Sequence, residues 1–415
     1  MMTLLMMTLV LFGFRCLMGQ DYLRQIEEQR YNRKQIDFTP QLKAADLNTS
    51  LKDHKFLGGE YNDIWGFKDS GNQYVIISKT LGFAVYKINT NGTADLIVNE
   101  ASANNENNIW GEVRYYNGYI YKSTEADSIR IYALNLADST VTYMKRFNGD
   151  AHNITLYQNF LFACGGAKTG VACYDISDPL NPVFKWLYNT HYVHDMTIQD
   201  DVLYVAEGSN FTFALYDISS VIGSSLTEDY LILRHNYPGA YTHNIWPTPD
   251  GKYVVTTDED NVPYHLQFWD ISDPENILNL LKHREGNSSI VHNAFIKNDF
   301  IYASYYTKGL VIFDISDKRL PVKIASYDAY LPRDDGAFFG TWGVYPFMDS
   351  NYVALSTIET GLDIVEFDQS IRAGQLTVSF FDTLDIAYND PVIVTVSDPK
   401  YVKYYQQGNQ IRLKG

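Results

Sequence analysis

An all-β, seven-bladed β-propeller of four-stranded blades is the fold class this sequence predicts, and three observations predict it. Self-similarity recurs at intervals of about fifty residues, each copy holds four short strand-like runs divided by turn residues, and the 415-residue chain is rich in strand-favouring aromatics, with 33 Tyr and 22 Phe. The clearest copies begin at Ala151 (AHNITLYQNFLFACGG), Val193 (VHDMTIQDDVLYVAEG), Thr242 (THNIWPTPDGKYVVTTDE) and Val291 (VHNAFIKNDFIYASYY). Each opens on a His followed by Asn or Asp, passes through two strands, and reaches a third that ends in Asp-Ile-Ser: YDIS at Tyr174 and Tyr216, WDIS at Trp269, FDIS at Phe313. Weaker copies start at Tyr61, Ile109 and Thr341. Aligning Asn62, Gly111 and Trp342 with His152, His194, His243 and His292 gives intervals of 49, 41, 42, 49, 49 and 50 residues, hence seven units.

In chain order, residues 1–19 carry an apolar stretch from Thr3 to Phe14, too short to span a bilayer and placed where a signal peptide belongs. Residues 20–46 lack strand periodicity and read as a polar leader. The propeller is expected over 47–368. Its seventh unit lacks an outer strand, which Leu51–Leu57 is expected to supply by pairing with residues around Leu362 to Phe367, closing the ring and removing an exposed edge. The alternative donor of that strand is the segment 369–415, a β-rich C-terminal extension that does not match the blade template.

A formal charge of −16 and the lack of any long Lys/Arg run exclude a nucleic-acid-tracking surface. After removal of residues 1–19 two cysteines remain, Cys164 and Cys173. They flank eight residues containing a glycine-bearing loop, and in an exported chain they are expected to form a cross-hairpin disulfide. Five Asn-X-Ser/Thr sequons, at Asn48, Asn91, Asn153, Asn210 and Asn287, are compatible with glycosylation but decide nothing about the host.

The third strand Gly309-Leu310-Val311-Ile312-Phe313-Asp314-Ile315-Ser316-Asp317 resembles the hallmark of LVIVD-repeat propellers. Through Tyr61-Asn62-Asp63-Ile64-Trp65-Gly66, Ala151-His152-Asn153-Ile154, Tyr241-Thr242-His243 and Trp342-Gly343-Val344-Tyr345-Pro346-Phe347 the chain is similar to the secreted choice-of-anchor B proteins. The resemblance covers roughly residues 50 to 368. It implies an exported propeller held at a cell surface by a C-terminal device, although the tail here matches no sorting signal.

Repeat geometry should gather His152, His194, His243 and His292 around one channel mouth, because each starts an innermost strand. Glu125, Glu207, Asp258, Glu259 and Glu359 end second strands that return toward the same face. Imidazoles backed by carboxylates suit a divalent transition metal. Equally, a repeated His-Asn/Asp at a strand start can serve only to hydrogen-bond the adjacent blade. Trp65, Trp110 and Trp342 occupy the three blades that lack His, where they could line a protein- or glycan-binding mouth or pack between blades. Asp175, Asp217, Asp270 and Asp314 are expected to cap turns. No nucleophile, phosphate-loop or His-Glu-x-x-His motif occurs. Two functional readings follow: a secreted or cell-surface propeller that binds a protein or glycan, and a metal-dependent extracellular enzyme.

Overall fold

Short, largely apolar runs divided by turn residues become four antiparallel strands in each repeat of the computed structural model, the inner ones buried on both faces between neighbouring blades. The structure describes residues 46–101, 109–125, 128–147, 151–166, 170–221, 225–237, 239, 241–259, 265–286, 288–332, 336–379, 403–407 and 410–414. The expected signal peptide, nearly all of the polar leader, Asn287 and the middle of the tail lie outside them. Seven four-stranded sheets make the seven blades, and among the described residues the only helical pieces are two single turns at Glu228–Tyr230 and Tyr306–Lys308. None is long and apolar enough to cross a membrane.

Blades 1 to 6 take four consecutive strands each. Their innermost strands are Tyr61–Asp69, Val113–Tyr116, Asn153–Tyr157, Asp195–Gln199, Thr242–Pro247 and Val291–Lys297, and that of blade 7 is Thr341–Tyr345. Blade 7 is built from both ends of the propeller. Its third strand, Gly361–Phe367, pairs antiparallel with Thr49–Lys55, with Leu51 opposite Val365, His54 opposite Asp363 and Lys55 opposite Leu362. The closure expected from Leu51 onward is therefore present. Thr49 Oγ1 also donates to the Ser326 carbonyl of blade 6, tying the seam to its neighbour.

The blades cohere through apolar layers between adjacent sheets. One cluster runs from Phe162, Val171 and Trp186 of blade 3 to Met196, Val205 and Tyr216 of blade 4, and equivalents occupy the other seams. At the third-strand ends Asp175, Asp217, Asp270 and Asp314 each accept the N–H two residues on, from Ser177, Ser219, Ser272 and Ser316. Their role as turn caps is the expected one.

The tail is not the closing strand. Gln375–Ser379, Gln410–Lys414 and Lys403–Gln407 form a separate three-stranded sheet, with the second in the centre. It rests on the third-strand turn of blade 6, where Lys414 Nζ meets Asp314 Oδ1 at 3.0 Å in full burial and Arg412 meets Asp317 at 2.9 Å.

The expected disulfide is corrected: Cys164 and Cys173 are both free and buried. Strand register explains this, since Cys164 lies opposite Val171 and Cys173 opposite Phe162. The two are diagonal neighbours, whose Cα atoms stand ~7–8 Å apart, beyond the usual reach of a disulfide. The Asn153 sequon is likewise buried at 3% exposure, so in the folded chain it cannot carry a glycan.

Candidate metal centre

Equivalent positions on the innermost strands put Asn62, Gly111, His152, His194, His243, His292 and Trp342 in one ring. In blades 1, 5, 6 and 7 the pairing with the second strand slips at this position, between Tyr61 and Ile64, Thr242 and Asn244, Val291 and Ala294, and Thr341 and Gly343. Such bulges re-aim side chains. The ring is also braced from outside. Ser123, Cys164, Thr257 and Ser304, at or just past the second-strand ends of blades 2, 3, 5 and 6, donate to the carbonyls of His152, His194, His292 and Trp342 in the following blade. Cys164 thus occupies a hydroxyl position of the repeat. Gly165, in the left-handed region at φ 71°, completes the fit, because a Cβ there would meet His152 Cβ at 2.4 Å.

The four imidazoles form a continuous arc. Ring centroids are 4.4 Å apart from His152 to His194, 4.1 Å from His194 to His243 and 4.4 Å from His243 to His292, and Trp342 extends the arc at 4.7 Å. Three Nδ1 atoms are engaged: His152 with Glu125 Oε1 at 2.5 Å, His194 with the His243 carbonyl at 3.1 Å, His292 with the Trp342 carbonyl at 2.6 Å. A carbonyl only accepts, so Nδ1 carries the proton in His194 and His292, and in the neutral ring Nε2 keeps its lone pair. Nδ1 of the buried His243 faces the His292 backbone without closing a hydrogen bond.

Glu259 stands on the Nε2 side, its carboxylate 3.2 Å from His243 Nε2 and 3.6 Å from His292 Nε2, while Tyr306 donates to Oε1 at 2.7 Å. One donor atom from each of His152, His194 and His243 lies within 4.8 Å of the others, and the same holds for His243, Glu259 and His292. Donors ~2.1 Å from a common ion sit ~3.0–3.5 Å apart, so a contraction of about an ångström makes a coordination shell.

Burial keeps most of this arc neutral. It pushes His194 and His243 well below 6.5, helped by neighbouring imidazoles, and takes His292 down to about 3. His152 differs: burial also disfavours its charge, but Glu125 overrides this and raises it.

One residue further along in blades 1 to 6 lies a second tier. Asn153, Asp195, Asn244 and Asn293 are its Asn or Asp after each His, of which the first three make the interblade contacts expected of them, and Asp63 and Glu112 extend the set. Asn153 Nδ2 donates to Glu112 at 2.8 Å and to Asp195 at 2.5 Å, and Asn244 Nδ2 donates to Asp195 at 2.8 Å. Arg114 bridges Asp63 and Glu112. Asp63 and Glu112 also accept backbone N–H groups of the next blade, from Val113 and Ile154. Burial raises Glu112 well above its ordinary range and Asp195 to about 6. A cavity of about 10 Å³, the size of one water molecule, lies between the tiers, lined by the four His together with Gly111, Glu112, Asn153, Asp195, Asn293 and Trp342.

The remaining predicted site residues divide. Glu207 is fully enclosed and paired with Arg234 at 3.0 Å, Asp258 accepts from Tyr237 and Gln267, and Glu359 accepts the Gly340 N–H, so none of these contacts is with the imidazoles. Trp110 is half-buried just before Gly111. Trp65 is not at the His level. It points down the channel to meet Trp246 of blade 5 at 6.4 Å, along with Phe295, Tyr345 and Phe347, in an aromatic plug across the axis. Tyr192 and Tyr241, each two residues before the His of its own blade, both pack edge-on to His194; of the two only Tyr241 stood out in the sequence, as part of the Tyr241-Thr242-His243 motif, and neither was expected at the site.

No family model matches this chain, and no curated protein matches its sequence. The site's chemistry stands on its geometry.

Proposed function

We propose that this propeller is a metalloprotein, holding one divalent transition-metal ion in the imidazole arc, which offers two overlapping donor sets, His152 with His194 and His243, and His243 with Glu259 and His292, and acting at its mouth as a metal-dependent enzyme. The tautomer pattern carries the reading. Nδ1 protons spent on Glu125 and on the His243 and Trp342 carbonyls leave Nε2 lone pairs on His152, His194 and His292, and the Glu259 carboxylate lies 3.6 Å from His292 Nε2. Acceptors facing acceptors in a buried site call for a cation, and the carboxylate or carbonyl behind three of the four imidazoles is the usual support of a metal-bound His. Asp195 adds to this, because the hydrogen bonds it accepts come only from amides. An all-imidazole set suits zinc, copper or iron.

Metal analysis of protein purified without chelators tests the proposal, with about one ion per chain expected. His194→Ala should lose it. Glu125→Gln, which frees His152 from its carboxylate, should weaken affinity by about 10- to 100-fold. Sub-stoichiometric metal in the wild type would leave the second reading, a protein- or glycan-binding face, which the rim aromatics Trp110, Tyr192, Tyr241 and Trp342 favour.

Export, cell-surface residence and kinship with the choice-of-anchor B propellers belong to the same proposal. The apolar segment at residues 3–14 and the Gly309–Asp317 motif support them.

A further inference from the structure

Two buried amide oxygens beneath the imidazole arc, Asn153 Oδ1 and Asn293 Oδ1, accept no hydrogen bond from the protein. Both residues line the cavity of about 10 Å³ that all four His also line. The orientation of Asn153 is fixed, because its Nδ2 donates to two carboxylates, Glu112 and Asp195, and an inverted amide would set oxygen against oxygen. Asn293 holds the equivalent position three blades on, and its side-chain amide makes no hydrogen bond within the protein, so it is free to present its oxygen to the cavity. A buried acceptor without a donor costs ~1–3 kcal/mol, so two in one small space call for a guest with two donors.

From this count we propose that the cavity holds one water molecule, ligated through its oxygen to the metal ion and donating its two O–H groups to Asn153 Oδ1 and Asn293 Oδ1. The donor and acceptor numbers close: two hydrogens meet two orphan acceptors, and the oxygen lone pair meets the cation. The inference rests on the metal reading above and adds direction to it. Water fixed on the channel side occupies the inner coordination position, so an exogenous ligand must enter from the opposite side, past Tyr192 and Tyr241. The aromatic plug of Trp65, Trp246 and Phe295 lies farther along the same strands, three residues beyond the ring positions, and closes the other route.

The test is a high-resolution crystal structure of the full chain loaded with zinc, with anomalous scattering locating the ion, and zinc affinity measured by chelator competition for wild type and Asn293→Leu. The expected result is a water ~2.0–2.3 Å from zinc and within hydrogen-bond distance of both amide oxygens. Asn293→Leu, whose side chain fills the cavity, should retain zinc with affinity lowered about tenfold and show no water there. Zinc bound to the imidazoles with no water on the channel side, or unchanged affinity in Asn293→Leu, overturns this inference and leaves the metal centre standing. Water in the cavity of a protein that takes up no zinc overturns both.

Discussion

Cys164 and Cys173 show how one residue type serves two purposes a strand apart. Cys164 stands where other blades carry Ser or Thr, and its Sγ lies 3.4 Å from the His194 carbonyl. Cys164→Ser should therefore change unfolding free energy by less than about 1 kcal/mol, because the hydroxyl inherits that partner. Cys173 is wholly buried in the apolar layer with Phe162, Trp186 and Met196. Cys173→Ser should cost about 1–3 kcal/mol in chemical denaturation, since a hydroxyl finds no acceptor there. Equal effects of the two substitutions would refute the assignment of Cys164 to the repeat's hydroxyl position. Elsewhere, burial pushes the Glu285 carboxyl up, but contacts with His283 and Lys323 outweigh it and hold the group down at about 2 against an ordinary 4.5. A depressed carboxylate contributes stability that is full above pH 4.5 and fades as pH falls toward 2. Glu285→Gln should lose up to about 3 kcal/mol at pH 7 and nothing near pH 2, and a pH-independent loss would contradict the ion-pair origin.

At the scale of elements, the closing strand was legible in the sequence while the tail was not, for a physical reason. The closing strand, expected over Leu51–Leu57 and observed over Thr49–Lys55, was legible because blade 7 visibly lacked an outer strand and a propeller tolerates no open edge. The tail's docking depends instead on Lys414, Arg412 and Asp314, charged residues that no apolar period distinguishes. Truncation to residue 58 should lower the melting temperature sharply, and truncation to residue 47 should leave it near wild type. Equal melting would mean that the seam contributes little. Lys414→Ala leaves Asp314 buried without its ammonium partner, which costs about 3–5 kcal/mol at a buried pair. The local consequence should be detachment of the C-terminal sheet, seen as faster proteolysis after residue 373 with the propeller intact.

Across the whole molecule, intervals of 41 to 50 residues were enough to read seven blades and to bring four His to one mouth, because ring symmetry converts repeat position into place. The carboxylates were read less well: Glu125 and Glu259 meet the imidazoles, but Glu207 pairs with Arg234 of its own blade and Asp258 with Gln267 of its own blade and Tyr237 from the end of blade 4, a choice made by those partners rather than by repeat position. The second tier was visible in part, as the Asn or Asp after each His, and Asp63 and Glu112 likewise follow ring positions. The same symmetry would make the proposed metal site a clamp on the fold, because its candidate ligands come from blades 3, 4, 5 and 6 and meet only in the closed ring. An ion that binds the folded ring alone stabilises it by about 2.7 kcal/mol at a hundredfold excess over its Kd. For a cooperative unit of this size that corresponds to about 3 °C in melting temperature. Zinc should therefore raise the melting temperature of the wild type by about that much, a chelator should reverse the shift, and His194→Ala should abolish it. The truncation to residue 58 should bind zinc more weakly, because an open ring no longer fixes the arc. If zinc leaves the wild-type melting temperature unchanged, the imidazoles are interblade braces and the mouth binds its partner without a metal.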